Sequence, residues 1–287
     1  MPPRNYPPQP VGPPVVVSPR WIITAIGTVV GLALLCGYLT LCFLFYQGQW
    51  QLSLTPTRTI IQTPTTTFTE LHFGPDASGQ PQLDGWFLPA ANDLASNTRT
   101  ALLLHSGSGS LSNALPTVAL LHDAGLNVLV FDYRGFGRSG GKHPTEHFMQ
   151  EDAQAALTYL LTIRHVPAAQ IVIVGEGIGA SLATTLATDH PELRSLILIN
   201  AEGDIDRRLA TDSRAQLVPA HLLFHEEFPL AAPLATLATP KLLLTRTTGP
   251  APETLRQAAA PKTTVELPPT APRQETLDAI TRFLSDR

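Results

Sequence analysis

Cysteine is almost absent from this chain, which contains only Cys36 and Cys42 among its 287 residues. Both cysteines lie inside one apolar segment, so the rest of the chain has no thiol. This excludes a disulfide framework and a cysteine-ligated zinc site outside that segment. Cysteine usage therefore does not assign the protein to an oxidising or a reducing compartment.

Acidic residues are absent from the N-terminal part of the chain, because the first carboxylate belongs to Glu70. Only Arg4 and Arg20 of the 19 basic residues precede residue 47, so residues 47–287 hold 23 acidic and 17 basic residues, a net charge of −6. The sequence also has no basic stripe interleaved with aromatic residues. Both features argue against a nucleic-acid-binding surface, and we expect no nucleic-acid partner.

Charge is also missing from residues 21–46, a run of 26 residues that reads WIITAIGTVVGLALLCGYLTLCFLFY. As a helix the run would be about 39 Å long, enough to cross a hydrocarbon core of about 30 Å. It is longer than the apolar region of a signal peptide, about 7–15 residues, and no Ala-x-Ala-like cleavage site follows it. We therefore predict a single transmembrane helix with the lipid bilayer as its partner. A signal peptide and a buried helix are the alternatives.

The segments on either side of this run differ in composition. Eight prolines in residues 1–20 predict a disordered tail, since proline removes backbone donors and fixes φ. The alternative is that this tail is a ligand for a proline-recognising domain. Residues 47–65 are rich in threonine and poor in charge, which indicates a linker. Arg4 and Arg20 precede the apolar run, and the nearest cation after it is Arg58. This bias predicts a cytoplasmic N-terminus and an extracytoplasmic globular domain.

Beyond residue 65 the pattern is that of alternating strands and helices. Two short apolar runs, Phe68–Phe73 and Leu83–Leu88, flank a turn with glycine and proline and predict a hairpin. Short continuous apolar strands then alternate with helices, which predicts an α/β domain over residues 66–287 with a mostly parallel sheet covered on both faces. Residues 202–240 break this alternation and predict a lid or excursion. The further predicted strands are Ala101–His105, Asn127–Phe131, Ile171–Val174, Ser195–Ile199, Lys241–Thr245 and Thr263–Leu267, and the helices are Ser112–Ala124, Thr145–Arg164, Ala180–Thr188, Gln216–Phe224 and Gln274–Leu284.

Five local motifs occur in this domain in an informative order and spacing. They are Asp84-Gly85-Trp86-Phe87-Leu88-Pro89, His105-Ser106-Gly107-Ser108-Gly109, Phe131-Asp132-Tyr133-Arg134-Gly135-Phe136-Gly137-Arg138-Ser139-Gly140, Glu151-Asp152-Ala153 and Gly175-Glu176-Gly177-Ile178-Gly179. With these motifs the chain resembles the α/β-hydrolase fold superfamily, and its membrane-anchored serine-hydrolase and peptidase-like branch in particular. The resemblance covers about residues 66–287 and implies the α/β-hydrolase fold.

The resemblance also implies a Ser-His-Asp triad, but this chain has other residues at all three positions. The nucleophile elbow of the fold, Gly-x-Ser-x-Gly, has Gly177 at the serine position, so no acyl-enzyme can form there. The acid would follow the penultimate strand, where Gly249 stands, and the histidine would follow the last strand, at about Ala271. No histidine occurs beyond His225. The sequence therefore predicts a degenerate triad.

Part of the oxyanion hole is expected to remain, because it uses backbone N–H groups. The resemblance implies that its donors are the amide of Ile178 and an amide at Ser106 or Gly107. The family usually has His-Gly in that loop, where this chain has His105-Ser106. The expected site is thus a set of backbone donors without a nucleophile.

These features favour a pseudo-hydrolase that binds a small molecule, a lipid or a protein partner, with no cofactor and no metal. The first alternative is an active esterase or peptidase with a relocated site, for which Ser181, His105 and His225 are the candidate residues. We expect Ser181 to be a helix cap or a surface residue. We expect His225-Glu226-Glu227 to be a solvated helix end. The His-x₃-His spacing that ends at His225 has no matching third zinc ligand.

The second alternative is a nucleotide-binding module. Gly175, Gly177 and Ala180 match Gly-x-Gly-x-x-Ala, in which the amides of a helix N-terminus hold a pyrophosphate. The motif follows the third parallel strand instead of the first, however, and Glu176 would crowd a phosphate. We therefore expect no nucleotide cofactor.

Overall fold

The computed structural model describes residues 12, 18–75, 78–91, 98–205 and 215–286, so most of the predicted proline-rich tail lies outside the described residues. Helix α1 spans Pro19–Gly48 and begins at Ser18, whose hydroxyl accepts a hydrogen bond from the Trp21 amide. None of the residues of α1 is buried. The apolar stretch Pro19–Leu52 contains 18 consecutive residues with a mean hydropathy of 2.2 and is long enough to cross a membrane by length and composition.

One large sheet organises the rest of the chain. Its eight strands lie in the order 10-9-8-7-4-6-3-2 when the strands are numbered along the chain. The pairs 2–3 and 3–6 are antiparallel, and every other neighbouring pair is parallel. The prediction of a mostly parallel sheet with an antiparallel hairpin at one edge is therefore confirmed. The strands are β1 (Thr55–Pro56), β2 (Thr69–Pro75), β3 (Pro81–Leu88), β4 (Thr100–Leu104), β5 (Ser108–Gly109), β6 (Asn127–Phe131), β7 (Ile171–Glu176), β8 (Ser195–Ile199), β9 (Lys241–Arg246) and β10 (Lys262–Leu267).

Helices cover both faces of this sheet. Strands β4, β6 and β8 are buried along their whole length, because each face of the sheet is shielded by apolar helix surfaces. Apolar side chains of α2 and α8 pack on one face, and those of α3 and α4 pack on the other. After α1 the helices are α2 (Leu111–Asp123), α3 (Glu146–Thr162), α4 (Gly179–Asp189), α5 (Ala220–Leu223), α6 (Ala231–Thr236), α7 (Glu253–Arg256) and α8 (Arg273–Ser285).

The segment predicted as a linker, residues 47–65, is in part a piece of the domain. Residues Gln49–Leu52 form a 3₁₀ turn directly after α1, and β1 then pairs in parallel with β5. Leu54, between these two elements, is only 1% exposed. The prediction of a linker is corrected here, because a single apolar side chain and a two-residue strand dock this segment onto the domain.

The predicted lid is built from short pieces. Residues 206–214 lie outside the described residues, and the remainder contains a 3₁₀ turn at Ala215–Leu217 followed by α5 and α6. The single helix predicted over Gln216–Phe224 is wrong. Pro219, which has no amide donor, precedes α5 at φ −74° and ψ 68°, outside the helical region, and separates the turn from the helix.

Candidate functional site

The turn from β7 into α4 keeps the geometry of a nucleophile elbow. Gly177 lies at its tip with φ +57°, in the left-handed region that glycine adopts without a steric penalty. The Gly177 amide donates to the Ile199 carbonyl at 3.1 Å, and the Gly177 carbonyl accepts from the Glu202 amide at 2.9 Å. A Cβ at Gly179 would overlap the Leu104 carbonyl, so the helix begins in close contact with the end of β4. The strand, turn and helix therefore keep the shape of a nucleophile elbow, with glycine backbone where the resemblance implies a serine hydroxyl.

The space above Gly177 is shared with the loop that follows β4. A Cβ built on Gly177 would lie 3.1 Å from the Cβ of Ser106, and apart from the chain neighbours Glu176 and Ile178 no other described residue comes within 4 Å of it. Ser106 Oγ lies 3.4 Å from Ser108 Oγ. Neither group is a base, so the side chain closest to a hydroxyl at residue 177 would not be a proton acceptor of the histidine type.

The positions expected for the acid and the histidine lie on the loops after the neighbouring strands β9 and β10. Gly249 is exposed, and its amide donates to Thr247 Oγ1 at 3.1 Å. Ala271 is buried in the turn before α8, and its amide donates to the Pro268 carbonyl at 2.9 Å. The Thr247 amide donates to the Leu267 carbonyl at 2.9 Å and ties the two loops together. These contacts are those of structural turns.

The two loops expected to form the oxyanion hole are covered by the chain's own segment 53–57. A Cβ built on Gly107 would lie 2.7 Å from Leu54 Cδ2 and 2.9 Å from Ile178 Cγ2, so these three residues are packed together. The Thr55 amide donates to the Gly107 carbonyl at 2.7 Å, and the Thr57 amide donates to the Gly109 carbonyl at 2.8 Å. We call residues 53–57 the covering segment. Sequence reasoning missed it, although the apolar Leu54 among polar residues was a signal.

Arg58 fastens the C-terminal end of the covering segment. Its guanidinium donates to the carbonyls of Ser139 at 2.8 Å and Gly141 at 2.6 Å. The Gly137 amide donates to the Thr57 carbonyl at 2.8 Å. The glycine-rich loop after β6, which the sequence singled out as a motif, therefore serves as the receptor for this segment.

His105, one of the candidates for a relocated base, is a buried residue with structural contacts. Its Nδ1 lies 2.8 Å from the Ser106 carbonyl, and its Nε2 lies 3.8 Å from Asp132 Oδ1. Its ring packs against those of Tyr133 and Phe136, with centroids 4.6 and 5.4 Å away. Burial lowers the pKa of His105 to about 4. Burial likewise raises the pKa of Asp132 to about 7, although the Leu111 amide donates to its Oδ1 at 2.9 Å.

Ser181 and His225, the other two candidates for a relocated site, make different contacts from those of His105. Ser181 is fully buried and donates to the Pro229 carbonyl at 2.8 Å, so the expectation of a cap or surface residue is wrong. His225 contacts the end of α1, where its amide donates to Gln49 Oε1 at 2.9 Å. None of the contacts described for these three residues joins one of them to another. The structure therefore does not assemble Ser181, His105 and His225 into a triad.

The expectation of a solvated helix end at His225-Glu226-Glu227 is also wrong for Glu226, which is 4% exposed. Its Oε2 accepts from the Glu146 amide at 2.6 Å, and Glu146 Oε2 accepts from the Phe228 amide at 2.8 Å. Burial raises the pKa of both carboxyl groups. This reciprocal pair fixes the lid to the start of α3, since each carboxylate satisfies an amide of the other element.

The nucleotide motif has no free cradle for a pyrophosphate at its first amides. The Ala180 amide donates to the Gly177 carbonyl and the Ser181 amide to the Ile178 carbonyl, both at 3.1 Å. Glu176 accepts from Thr117 Oγ1 at 2.8 Å, and burial raises the pKa of its carboxyl group. A phosphate would have to displace these contacts next to a carboxylate. Within the described ranges, no group of three or more His, Cys, Asp or Glu side chains is placed to hold a metal ion.

Comparison with known proteins adds the family to this geometry. Residues 101–237 match the family model for the alpha/beta hydrolase fold. The chain is 33% identical over 120 residues to the uncharacterized protein YfhR of Escherichia coli O157:H7, a match that covers 41% of this chain and 42% of that protein. It is 29% identical over 218 residues to an uncharacterized protein of Mycobacterium tuberculosis H37Rv, which covers 71% of this chain and 75% of that protein.

Solved structures share the architecture at low sequence identity. An esterase of Pyrococcus furiosus superposes with a TM-score of 0.60 at 18% identity, and the match covers 82% of this chain and 98% of the esterase. Such a likeness shows the fold and not the activity. The sheet order, the left-handed elbow and these matches agree, and the chain has the α/β-hydrolase fold.

Proposed function

We propose that this chain is a membrane-anchored pseudo-hydrolase, which acts by binding a small-molecule, lipid or protein partner and not by turnover. The observation that carries the proposal is the elbow itself, where Gly177 presents backbone in place of a nucleophile. Acyl transfer by this fold needs a hydroxyl at that point and a base within hydrogen-bond reach. Apart from the chain neighbours Glu176 and Ile178, Ser106 is the one described residue within 4 Å of the site where that side chain would begin.

The covering segment supports the same proposal. In a hydrolase the acyl group of the substrate lies against the oxyanion donors. Here Leu54 packs against Gly107 and Ile178, the two residues expected to supply those donors. A substrate would have to displace a buried leucine and two backbone hydrogen bonds, those of Thr55 and Thr57.

Helix α1 supports anchoring. A helix of 30 residues rises about 45 Å, which exceeds the hydrocarbon thickness, and apolar side chains cover its exposed surface. With Arg4 and Arg20 before the helix, we propose that the N-terminus is cytoplasmic and that the domain lies on the other side.

A serine-directed fluorophosphonate probe tests the loss of turnover on the full chain in detergent micelles. We expect no covalent labelling and no p-nitrophenyl ester hydrolysis above background, with the Pyrococcus furiosus esterase as the positive control. The matched variants are Ser106→Ala and Ser181→Ala. Labelling that one of these substitutions abolishes would overturn the proposal in favour of a relocated catalytic serine.

A further inference from the structure

A cavity of about 210 Å³ lies where α1 meets the lid. One wall consists of the last turns of α1 and the 3₁₀ turn Gln49–Leu52 that follows it. The other wall consists of the lid residues Leu217 and Val218. Leu44, Phe45 and Leu52 give the first wall an apolar surface. We call this cavity the anchor groove.

The lid is held against α1 by a buried glutamine at one side of the anchor groove. Gln49 is 2% exposed, and its Nε2 donates to the carbonyls of Tyr46 at 2.9 Å and Leu223 at 3.4 Å. Its Oε1 accepts from the His225 amide. The rings of Tyr46 and His225 are 4.6 Å apart. The groove is therefore a fixed feature of the fold, since both of its walls are tied to one side chain.

The anchor groove begins at the level where α1 leaves the hydrocarbon core of the bilayer and enters the headgroup region. A hydrocarbon core of about 30 Å takes about 20 helical residues, so a span that begins at Trp21, just after Arg20, leaves the core near Leu41. The groove begins at this level. Leu222 on the lid, outside the groove, is 75% exposed, as expected for a side chain that contacts lipid instead of water.

We propose that the anchor groove binds an acyl chain of a bilayer lipid, which enters sideways from the leaflet next to the domain. This inference rests on the proposed membrane anchoring. The groove is continuous with the exposed apolar surface of α1. Its side-chain lining is apolar apart from Gln49, whose amide is already hydrogen-bonded, so it gives no partner to a charged ligand. A helix of a second protein, about 10 Å across, is too wide for a cavity of this volume, whereas an acyl chain is narrow and flexible.

Gly48 provides a selective way to close the groove. A Cβ at Gly48 would meet no atom within 4 Å, and its φ of −103° is allowed for any residue. Gly48→Leu therefore fills the anchor groove without backbone strain. Gly37→Leu is the matched control, because Gly37 lies on the same helix and also has open space around it. Val218→Trp fills the groove from the lid side and gives a second, independent variant.

The test uses the full chain in phosphatidylcholine nanodiscs that contain a phosphatidylcholine with a diazirine on one acyl chain. We expect photoadducts on Leu217 and Val218, reduced about tenfold in Gly48→Leu and in Val218→Trp, because loss of even two buried methylenes weakens binding by that factor. For Val218→Trp the adduct on Leu217 is the one compared. Gly37→Leu should leave the adducts unchanged.

The outcomes separate this inference from the proposed anchoring. Adducts on residues 21–46 but none on Leu217 or Val218, or lid adducts that both filling variants leave unchanged, would overturn the acyl-chain site while the anchoring stands. An absence of adducts on residues 21–46 would overturn the anchoring itself. A cross-link between two protein chains through Leu217 would assign the groove to a protein partner and also overturn the proposal.

Discussion

Replacement of Leu54 by alanine tests whether the covering segment is an integral part of the fold. Leu54 is 1% exposed and packs against Gly107 and Ile178. Substitutions of this kind cost about 2–5 kcal/mol when the side chain is fully buried, from the lost transfer free energy and the cavity left behind. The covering segment can open locally while the rest of the domain stays folded, so the substitution acts on the free energy of this local opening. We expect that opening free energy to fall by about 2–3 kcal/mol.

Amide hydrogen exchange on the full chain in nanodiscs measures this directly. The amides of Thr55 and Thr57, which bond to the carbonyls of Gly107 and Gly109, should exchange about 30-fold to 160-fold faster in Leu54→Ala, if their opening becomes easier by that free energy. Ile61→Ala is the matched control, since Ile61 is 81% exposed on the same stretch, and it should change exchange little. Equal exchange in Leu54→Ala and the wild type would refute the reasoning that Leu54 holds the segment over the elbow.

Two further predictions concern the elbow and the buried Asp132, which follows β6. Gly177→Ser should destabilise the fold by about 1–2 kcal/mol, because φ is +57° and the new Cβ lies 3.1 Å from that of Ser106. Gly177→Ala is the control and should show the same loss of unfolding free energy in urea. Gly177→Ser should also fail to react with fluorophosphonate, and labelling of this variant would contradict the absence of a base. Asp132 has a pKa of about 7 in the fold against 3.8 ordinarily, so the stability it contributes is full below about pH 4 and is lost as pH rises to about 7. Asp132→Asn removes this loss, so its unfolding free energy relative to the wild type should rise between pH 5 and 8 by up to about 3 kcal/mol, whereas parallel pH profiles would show that burial does not shift this carboxyl group.

The parts of the fold that the sequence predicts well are those with a strong local pattern. Asn127–Phe131 and Ser195–Ile199 agree with the structure at both ends, because each is a short apolar run that a parallel sheet buries on both faces. The hairpin at the sheet edge is also correct to within two residues, since its turn contains glycine and proline.

The features that the sequence did not predict depend on contacts between distant residues. The two-residue strand β1 has no periodicity of its own and exists only because Ser108–Gly109 lies beside it. Glu226 reads as a surface residue, yet it is buried through its bond to the Glu146 amide, 80 residues away. Ser181 is buried because the lid carbonyl of Pro229 lies over it. In each case the partner comes from another element, and local sequence contains no signal for such a partner.

The glycine at the elbow and the covering segment explain each other physically. Leu54 follows the end of α1 by only six residues, so the loop that must close to dock it is short and the effective concentration of the segment is high, on the order of millimolar or more. In an active esterase such a segment would compete with every substrate for the oxyanion loops. Under the proposed pseudo-hydrolase function no substrate has to reach residue 177, so burial of Leu54 against Ile178 adds stability without a loss of activity. On that proposal, the covering segment is the structural consequence expected when this fold is released from the demand for an open catalytic cleft.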